Sequence, residues 1–447
     1  MKDMYIDYGG DRRRKEKRKK ATIIIAVLAL LIGVGGFFGT QYYFKMMDAQ
    51  NAEATPDDTP ISVAEAMDAD EANPQTGVYG FWYSPKENEE EVAPTGYADL
   101  DEDVWMADFV DTRERVEAKG IYVSSVYINK KLNDAIKLVD ETELNAMVID
   151  IKSDAGYITY RMDYDVAKEI KACSDTIGNI EATVKKLKDH GIYLIAHIVT
   201  LKDPILAERK PELALYNNDG TIFRDKSGLA WVNPYEDGVW DYLVEVCKQC
   251  VAVGFDEVNL DYIRFSTDKG MADVNFGPKA ETMSRIEVIT AGIKRICEEI
   301  KPLGAFVSCD VYGAIMTSSV DARIVGQSYF QMAQYLDYIC PMVYPSHYAD
   351  GYYNLDYPDC HPYELVYQAL MASQKVLYMI DNTGNKADVR PWLQDFTASW
   401  LRHYLNYGKD EVRGQIQATY DAGYTQWLLW NAGINYTESA LEKAKKE

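Results

Sequence analysis

The chain has 447 residues, with 70 Asp plus Glu against 47 Lys plus Arg and a formal net charge of -23. That acidity excludes a bulk surface made for nucleic acid, because it would repel the phosphates. Hydrophobic residues at 47% exclude a mostly disordered chain, and 7 Cys are too few for a disulfide scaffold.

The charge changes along the chain. Residues 1–20 form a basic tail that contains the run RRRKEKRKK, Arg12–Lys20. Ala21–Phe44 then carries no charge, and its core ATIIIAVLALLIGVGGFFG is close to the ~20 residues that span a bilayer. The positive-inside rule places the N-terminus in the cytoplasm and everything after Phe44 outside the cell. This predicts a single-pass membrane protein whose residues 21–44 contact lipid. A cleaved signal peptide is the alternative reading, and a buried core helix fits poorly beside such a charged run.

Residues 45–114 read as an acidic, mostly disordered tether, with runs such as Glu89–Glu91 and with Pro56, Pro60, Pro74, Pro85 and Pro94. Gly77–Tyr83 (GVYGFWY) reads as a short docking strand or as an apolar patch in the linker. Asp103–Phe109 (DVWMADF) reads similarly.

From residue 115 to 447, apolar runs alternate with amphipathic stretches. Strands are expected at Gly120–Tyr127, Ala146–Ile151, Ile192–Val199, Phe255–Ile263, Ala305–Val311, Tyr338–Tyr344, Val389–Phe396 and Thr425–Asn431, with Val376–Ile380 an alternative for the seventh. Helices are expected at Asn133–Leu144, Ile180–His190, Asp237–Val253, Lys279–Ile300, Ser328–Tyr335, Pro362–Met379, Glu411–Ala422 and Ser439–Lys446, and several are closed by Gly. Eight such units predict an α/β fold, a (β/α)8 TIM barrel preceded by one transmembrane helix and the acidic linker. An open doubly wound sheet is the alternative. It usually carries a Gly-rich phosphate loop after its first strand, and none follows Ile121.

Barrels of this type carry their chemistry at the C-terminal ends of the strands. On the fourth strand Glu257, Asn259 and Asp261 share the inward face by period two, with Tyr262 and Arg264 following. An Asp261–Arg264 ion pair that merely holds the loop is the bland reading. On the fifth strand Asp310 stands near the top, and a turn cap is its bland role. Two carboxylates on neighbouring strand ends can flank a sugar, one protonating the leaving oxygen while the other attacks or activates water. Asp150, Lys152 and Asp154 end the second strand, where they either bind substrate hydroxyls or pair among themselves. Asp395 is a second-choice carboxylate. Tyr262, Tyr344, Trp392 and Trp430 are rings on which a sugar could stack, whereas Trp427 reads as core. His347 is a candidate hydroxyl or proton partner.

Other signals point nowhere. Cys247 and Cys250 lie on one apolar helix face and read as core. There is no H-E-x-x-H, Walker loop or G-x-S-x-G, and neither a metal nor a cofactor is expected.

Phe255–Phe265 (FDEVNLDYIRF), Arg115–Tyr122, Ala146–Asp154, Cys340–Tyr348, Arg390–Phe396 and Gln426–Asn431 together resemble a bacterial family of glycoside hydrolase-like proteins long known as a domain of unknown function. The resemblance covers residues 115–435. It implies an alpha-amylase-like barrel in which a fourth-strand Asp, here Asp261, is the nucleophile. The amylase pattern places an Arg two residues before that Asp and a Glu after the fifth strand; Asn259 and Asp310 occupy those places here.

The sequence therefore predicts a membrane-anchored extracellular glycoside hydrolase acting on a polysaccharide, with Asp261 as nucleophile or base and Asp310 as acid. Two rivals remain: a catalytically idle barrel that binds cell-wall glycan, and a carboxylate-rich metal site for de-esterification.

Overall fold

The computed structural model describes residues 109–378, 380 and 386–444. The basic tail, the anchor at 21–44 and the linker through residue 108, including Gly77–Tyr83, lie outside the described residues. Among the described residues no helix is long and apolar enough to cross a membrane.

The strands that matter are β1 (Lys119–Val123), β2 (Ala146–Lys152), β3 (Tyr193–Val199), β4 (Glu257–Asp261), β5 (Phe306–Tyr312), β6 (Tyr338–Met342), β7 (Trp392–Gln394) and β8 (Trp427–Trp430). Every neighbouring pair is parallel, β8 pairs with β1, and β7 touches β6 through Trp392 opposite Met342. The sheet thus closes on itself as a barrel. The seventh position is interrupted: Asp388–Val389 pairs with the start of β6 before β7 begins. The helical reading of Val376–Tyr378, inside Pro362–Tyr378, removes the alternative seventh strand.

Local signals explain where the expected boundaries moved. The first strand stops early because the Ser124 side chain accepts from the Tyr127 N–H and caps the helix Ser125–Glu141, well before Asn133. The fourth long helix begins at Arg285 rather than Lys279, because Ser284 and Glu287 form a capping box there and Pro278–Glu281 makes a separate 3-10 turn. The expected terminal helix does not form in the described chain, where Glu438–Ala440 is a 3-10 turn and Lys443 bridges to Thr142. The remaining helices, Ile180–Asp189, Asp237–Ala252, Tyr329–Ala333 and Lys409–Asp421, lie where their periodicity puts them.

Two cores result. Outward-facing strand residues and the apolar helix faces form the larger one, which includes Trp427, Cys247 and Cys250, all fully buried. Inward-facing residues fill the barrel itself: Tyr122, Val148, Ile195, Phe306, Tyr338, Cys340, Trp392 and Leu428. Below the site this filling contains a salt bridge. Arg390 Nη1 donates to both oxygens of Glu257 at 2.9 and 3.0 Å, and neither residue has solvent exposure. Tyr193 Oη and Ser308 Oγ also donate to Glu257, while Arg390 Nε donates to Gln426 and its guanidinium lies 3.8 Å from the Tyr338 ring centroid. Glu257 therefore belongs to a structural layer, although it shares a strand face with Asn259 and Asp261.

The chain enters the barrel from the opposite end to the candidate site. Arg113 donates to Asp337 and to the Ala305 carbonyl, beside the starts of β5 and β6, and Arg115 pairs with Asp388.

Candidate active site

Register brings the polar strand ends together. His197 on β3 is level with Asp150 on β2 and Asn259 on β4, and Asp261 is level with Val199. One carboxylate oxygen each of Asp261 and Asp310 and a ring nitrogen of His197 lie within 4.8 Å of one another. His197 Nε2 is 3.2 Å from Asp261 Oδ2 and 4.0 Å from Asp310 Oδ2, and its Nδ1 is 3.4 Å from Asp150 Oδ1. Burial works to lower the His197 pKa, but the Asp150 and Asp261 carboxylates outweigh it and hold it up at about 10. The imidazole is therefore charged at neutral pH and donates from both nitrogens.

Asp310 has a different environment. Its side chain is 4% exposed. Asn259 Nδ2 and Trp392 Nε1 both donate to Oδ1, at 2.9 and 2.7 Å. Burial, with the Asp261 charge adding to it, pushes the carboxyl up to about 7, and His197 and the two donors only partly offset this. With two donors on Oδ1, the proton belongs on Oδ2, the oxygen nearer His197. Asp261 is more open. Its Oδ1 accepts from the Tyr262 N–H at 2.6 Å, and Tyr262 itself has a left-handed backbone, φ +50°. Such a conformation costs about 1–3 kcal/mol in a non-glycine residue and clusters at functional sites.

Several expected residues join this group. Trp392 is the Asp310 donor, Asn259 links Asp310 to Ser308, and Asp150 holds His197. Trp430 packs at 4.4 Å between ring centroids on Tyr122, which meets His197 edge-on at 5.8 Å. Tyr344 is buried at the end of β6. His347 is exposed at the rim, with its Nδ1 3.0 Å from Ser346 Oγ. Tyr262 and Arg264 lie beside the site, and no Asp261–Arg264 ion pair forms among the described residues. The Arg264 guanidinium instead sits 4.7–5.6 Å from the ring centroids of Tyr312, Tyr262 and Trp231.

Two expected residues are elsewhere. Lys152 does not share the Asp150 face: a bulge at Ile151 sets Asp150 opposite His197 but Lys152 opposite Ile198, so the side chain turns outward. There it is fully buried, 2.9 Å from Asp203, and donates to the Val199 carbonyl. Asp395 is buried, and both of its oxygens accept from Thr437, from N–H at 2.8 Å and from Oγ1 at 2.6 Å, so it braces a loop.

His197 was the residue missed. A lone His in the apolar run YLIAHIV reads as core. The available signal was its period-two position, one strand over from Asn259 and Asp150.

Known proteins show the family and the fold. A family model described as "Putative glycosyl hydrolase domain" matches residues 120–436. The chain belongs to this family. As a glycosyl hydrolase domain, it is an enzyme of the glycoside hydrolase kind. Among solved structures, the glycoside hydrolase domain of PgaB (BpsB) from Bordetella bronchiseptica is similar in fold, with a TM-score of 0.52 at 12% identity over 71% of this chain and 94% of that one. A hypothetical protein from Ruminiclostridium thermocellum is 33% identical, with a TM-score of 0.40, over 43% of this chain and 97% of that one. A maltogenic alpha-amylase from Thermotoga neapolitana matches at a TM-score of 0.43 and 12% identity, over 74% and 70% of the two chains. No curated protein matches the sequence.

Proposed function

We propose that this glycosyl hydrolase domain cleaves a polysaccharide with retention of configuration, using Asp261 as nucleophile and Asp310 as acid. The observation that carries the reading is the close approach of Asp261 and Asp310 oxygens, within 4.8 Å. Retaining enzymes hold their carboxyl groups about 5–5.5 Å apart, whereas inverting enzymes leave about 6.5–9.5 Å for a water. Asp261 attacks the anomeric carbon while Asp310 protonates the departing glycosidic oxygen from Oδ2. Asp310, now ionised, then takes a proton from the water that breaks the glycosyl–Asp261 ester. Asn259, Trp392 and His197 position the pair, and the Trp430–Tyr122 rings offer a stacking wall. Proton NMR of the first-formed product should show the anomer of the substrate; an inverted first product overturns the assignment of Asp261 as nucleophile.

The raised pKa of Asp310 supports its role as the acid. Hydrolysis should fall as pH rises through about 7, where Asp310 loses its proton. Stability should move the same way. The folded value is raised above the unfolded 3.8, so the native state binds the proton more tightly; the benefit is full below about pH 4 and is lost as pH rises through about 7. Melting temperatures from pH 4 to 8 should therefore drop more in the parent than in Asp310→Asn. Equal slopes would remove Asp310 from the account.

The anchored, extracellular placement belongs to the same proposal. The basic block before residue 21 and the uncharged Ala21–Phe44 support a bilayer anchor with a cytoplasmic N-terminus. The acidic tether of 45–114 would then hold the barrel off an anionic membrane surface.

A further inference from the structure

We infer that Arg264 receives an oxyanion carried by the glycan, and that the polysaccharide cleaved by this barrel is acidic. The inference rests on the glycoside hydrolase reading above and names the substrate class. Arg264 stands three residues beyond Asp261, in the loop after β4. Its guanidinium carbon lies 4.7 Å from the ring centroid of Tyr312, 4.9 Å from that of Tyr262 and 5.6 Å from that of Trp231. Tyr312 is the last residue of β5 and shares the inward face with Asp310 by period two, one layer nearer the mouth. Tyr262 directly follows Asp261. The guanidinium is thereby placed at the mouth, beside the two strand ends that carry the carboxylates.

No carboxylate neutralises it. Among the described residues its hydrogen bond runs from Nη1 to the Phe265 carbonyl at 3.0 Å, and it joins no ion pair. The nearby acidic groups are already committed. Asp261 accepts from the Tyr262 N–H on Oδ1 and faces His197 with Oδ2. Asp154 and Asp225 both face Lys202 Nζ, at 3.2 and 3.4 Å. Rings attract a guanidinium without cancelling its charge or consuming its N–H groups. A half-buried cation in that state gains most from a bidentate oxyanion, whose two oxygens match its planar fork.

The setting is also fixed in advance. Gln327, buried, donates from Nε2 to the Asp310 carbonyl at 3.2 Å and to the Ile263 carbonyl at 3.4 Å. Its Oε1 accepts from the Tyr312 N–H at 3.2 Å. One amide thus ties the start of the Arg264 loop to the end of β5, so a ligand need order neither.

The ligand chemistry follows. A neutral sugar offers hydroxyls, which use neither the charge nor the fork. A uronic-acid carboxylate or a sulfate ester uses both. The chain as a whole carries a formal charge of -23, so its overall field disfavours a polyanion. A preference for one therefore has to come from a local cation.

The test is native electrophoresis of the full chain carrying Asp310→Asn, which removes the acid while leaving the charge of its protonated form unchanged. The gels contain polygalacturonate, alginate or dextran sulfate, each beside its uncharged counterpart: methyl-esterified pectin, propylene glycol alginate and dextran. At least one acidic polymer should retard the chain about tenfold more strongly than its counterpart, and the arm that does so separates carboxylate from sulfate. Arg264→Gln should weaken that retention by about tenfold, the scale of a charge-assisted hydrogen-bonded pair, and should weaken retention on the uncharged form far less. Arg264→Lys, which keeps the charge without the fork, should recover only part. Unchanged melting temperatures establish that the variants fold, and the comparison of charged with uncharged polymer needs no change at Arg264. Equal retention by every pair, no retention by any acidic polymer, or retention unchanged in Arg264→Gln overturns the inference. Each of these results leaves the roles of Asp261 and Asp310 standing, because those are read from product stereochemistry and pH dependence.

Discussion

Replacing Asp261 by Asn should reduce glycan hydrolysis by at least about a thousandfold, the scale on which loss of a nucleophile is felt. Asn can still accept the Tyr262 N–H that now bonds Oδ1, so the turn with φ +50° keeps its support. It cannot form the glycosyl ester, and it presents no charge to the His197 imidazolium. Reducing ends released from polysaccharide, measured beside the thermal unfolding of each variant, separate chemistry from folding. Undiminished hydrolysis would remove Asp261 from the mechanism. A parent that binds glycan without cleaving it, with binding retained in Asp261→Asn, would favour the idle barrel instead. The amylase-like pattern has an Arg where Asn259 stands. Here Asn259 Nδ2 donates directly to Asp310 Oδ1 at 2.9 Å.

The second large effect concerns stability. Glu257→Gln should cost about 3–5 kcal/mol, because it leaves the Arg390 guanidinium charged inside the barrel with no carboxylate to face. Arg390 cannot shed its proton to escape that cost. Tyr193, Ser308 and Gln426 tie the pair into the surrounding strands, so the loss reaches β3, β5 and β8 as well. Urea unfolding monitored by tryptophan fluorescence gives the difference. A cost below about 1 kcal/mol would show that water or a rearranged side chain replaces Glu257. Replacing both partners by Met should recover much of the loss, since two apolar side chains remove the charge and its partner together.

Both predictions rest on one strand, and its sequence does not separate their roles. Glu257, Asn259 and Asp261 alternate identically in FDEVNLDYI. What distinguishes them is the layer each reaches: Glu257 meets Arg390, which is 133 residues away, while Asn259 meets Asp310, 51 residues away. Lys152 shows the complementary limit. Period two assigns it to the Asp150 face, but one extra residue at Ile151 reverses it, and a bulge depends on how two strands pair. His197 is legible only as a member of a set. Alone it is a histidine in an apolar strand, and it becomes a charged link once Asp150 and Asp261 stand on either side.

The sequence by itself determined the barrel, because period-two and helical patterns are local and repeat along the chain. It also located Asp261 and Asp310, because strand ends can be read from the patterns that precede them. The net charge of -23 resolved into a basic N-terminal run, an acidic stretch and the barrel sequence for the same reason: charge is countable residue by residue. Only the tertiary structure decided which polar groups meet. Register, the bulge in β2 and closure of β8 on β1 set distances between residues far apart in the chain. Those distances fix the pKa of Asp310, the charge of His197 and the partner of Lys152.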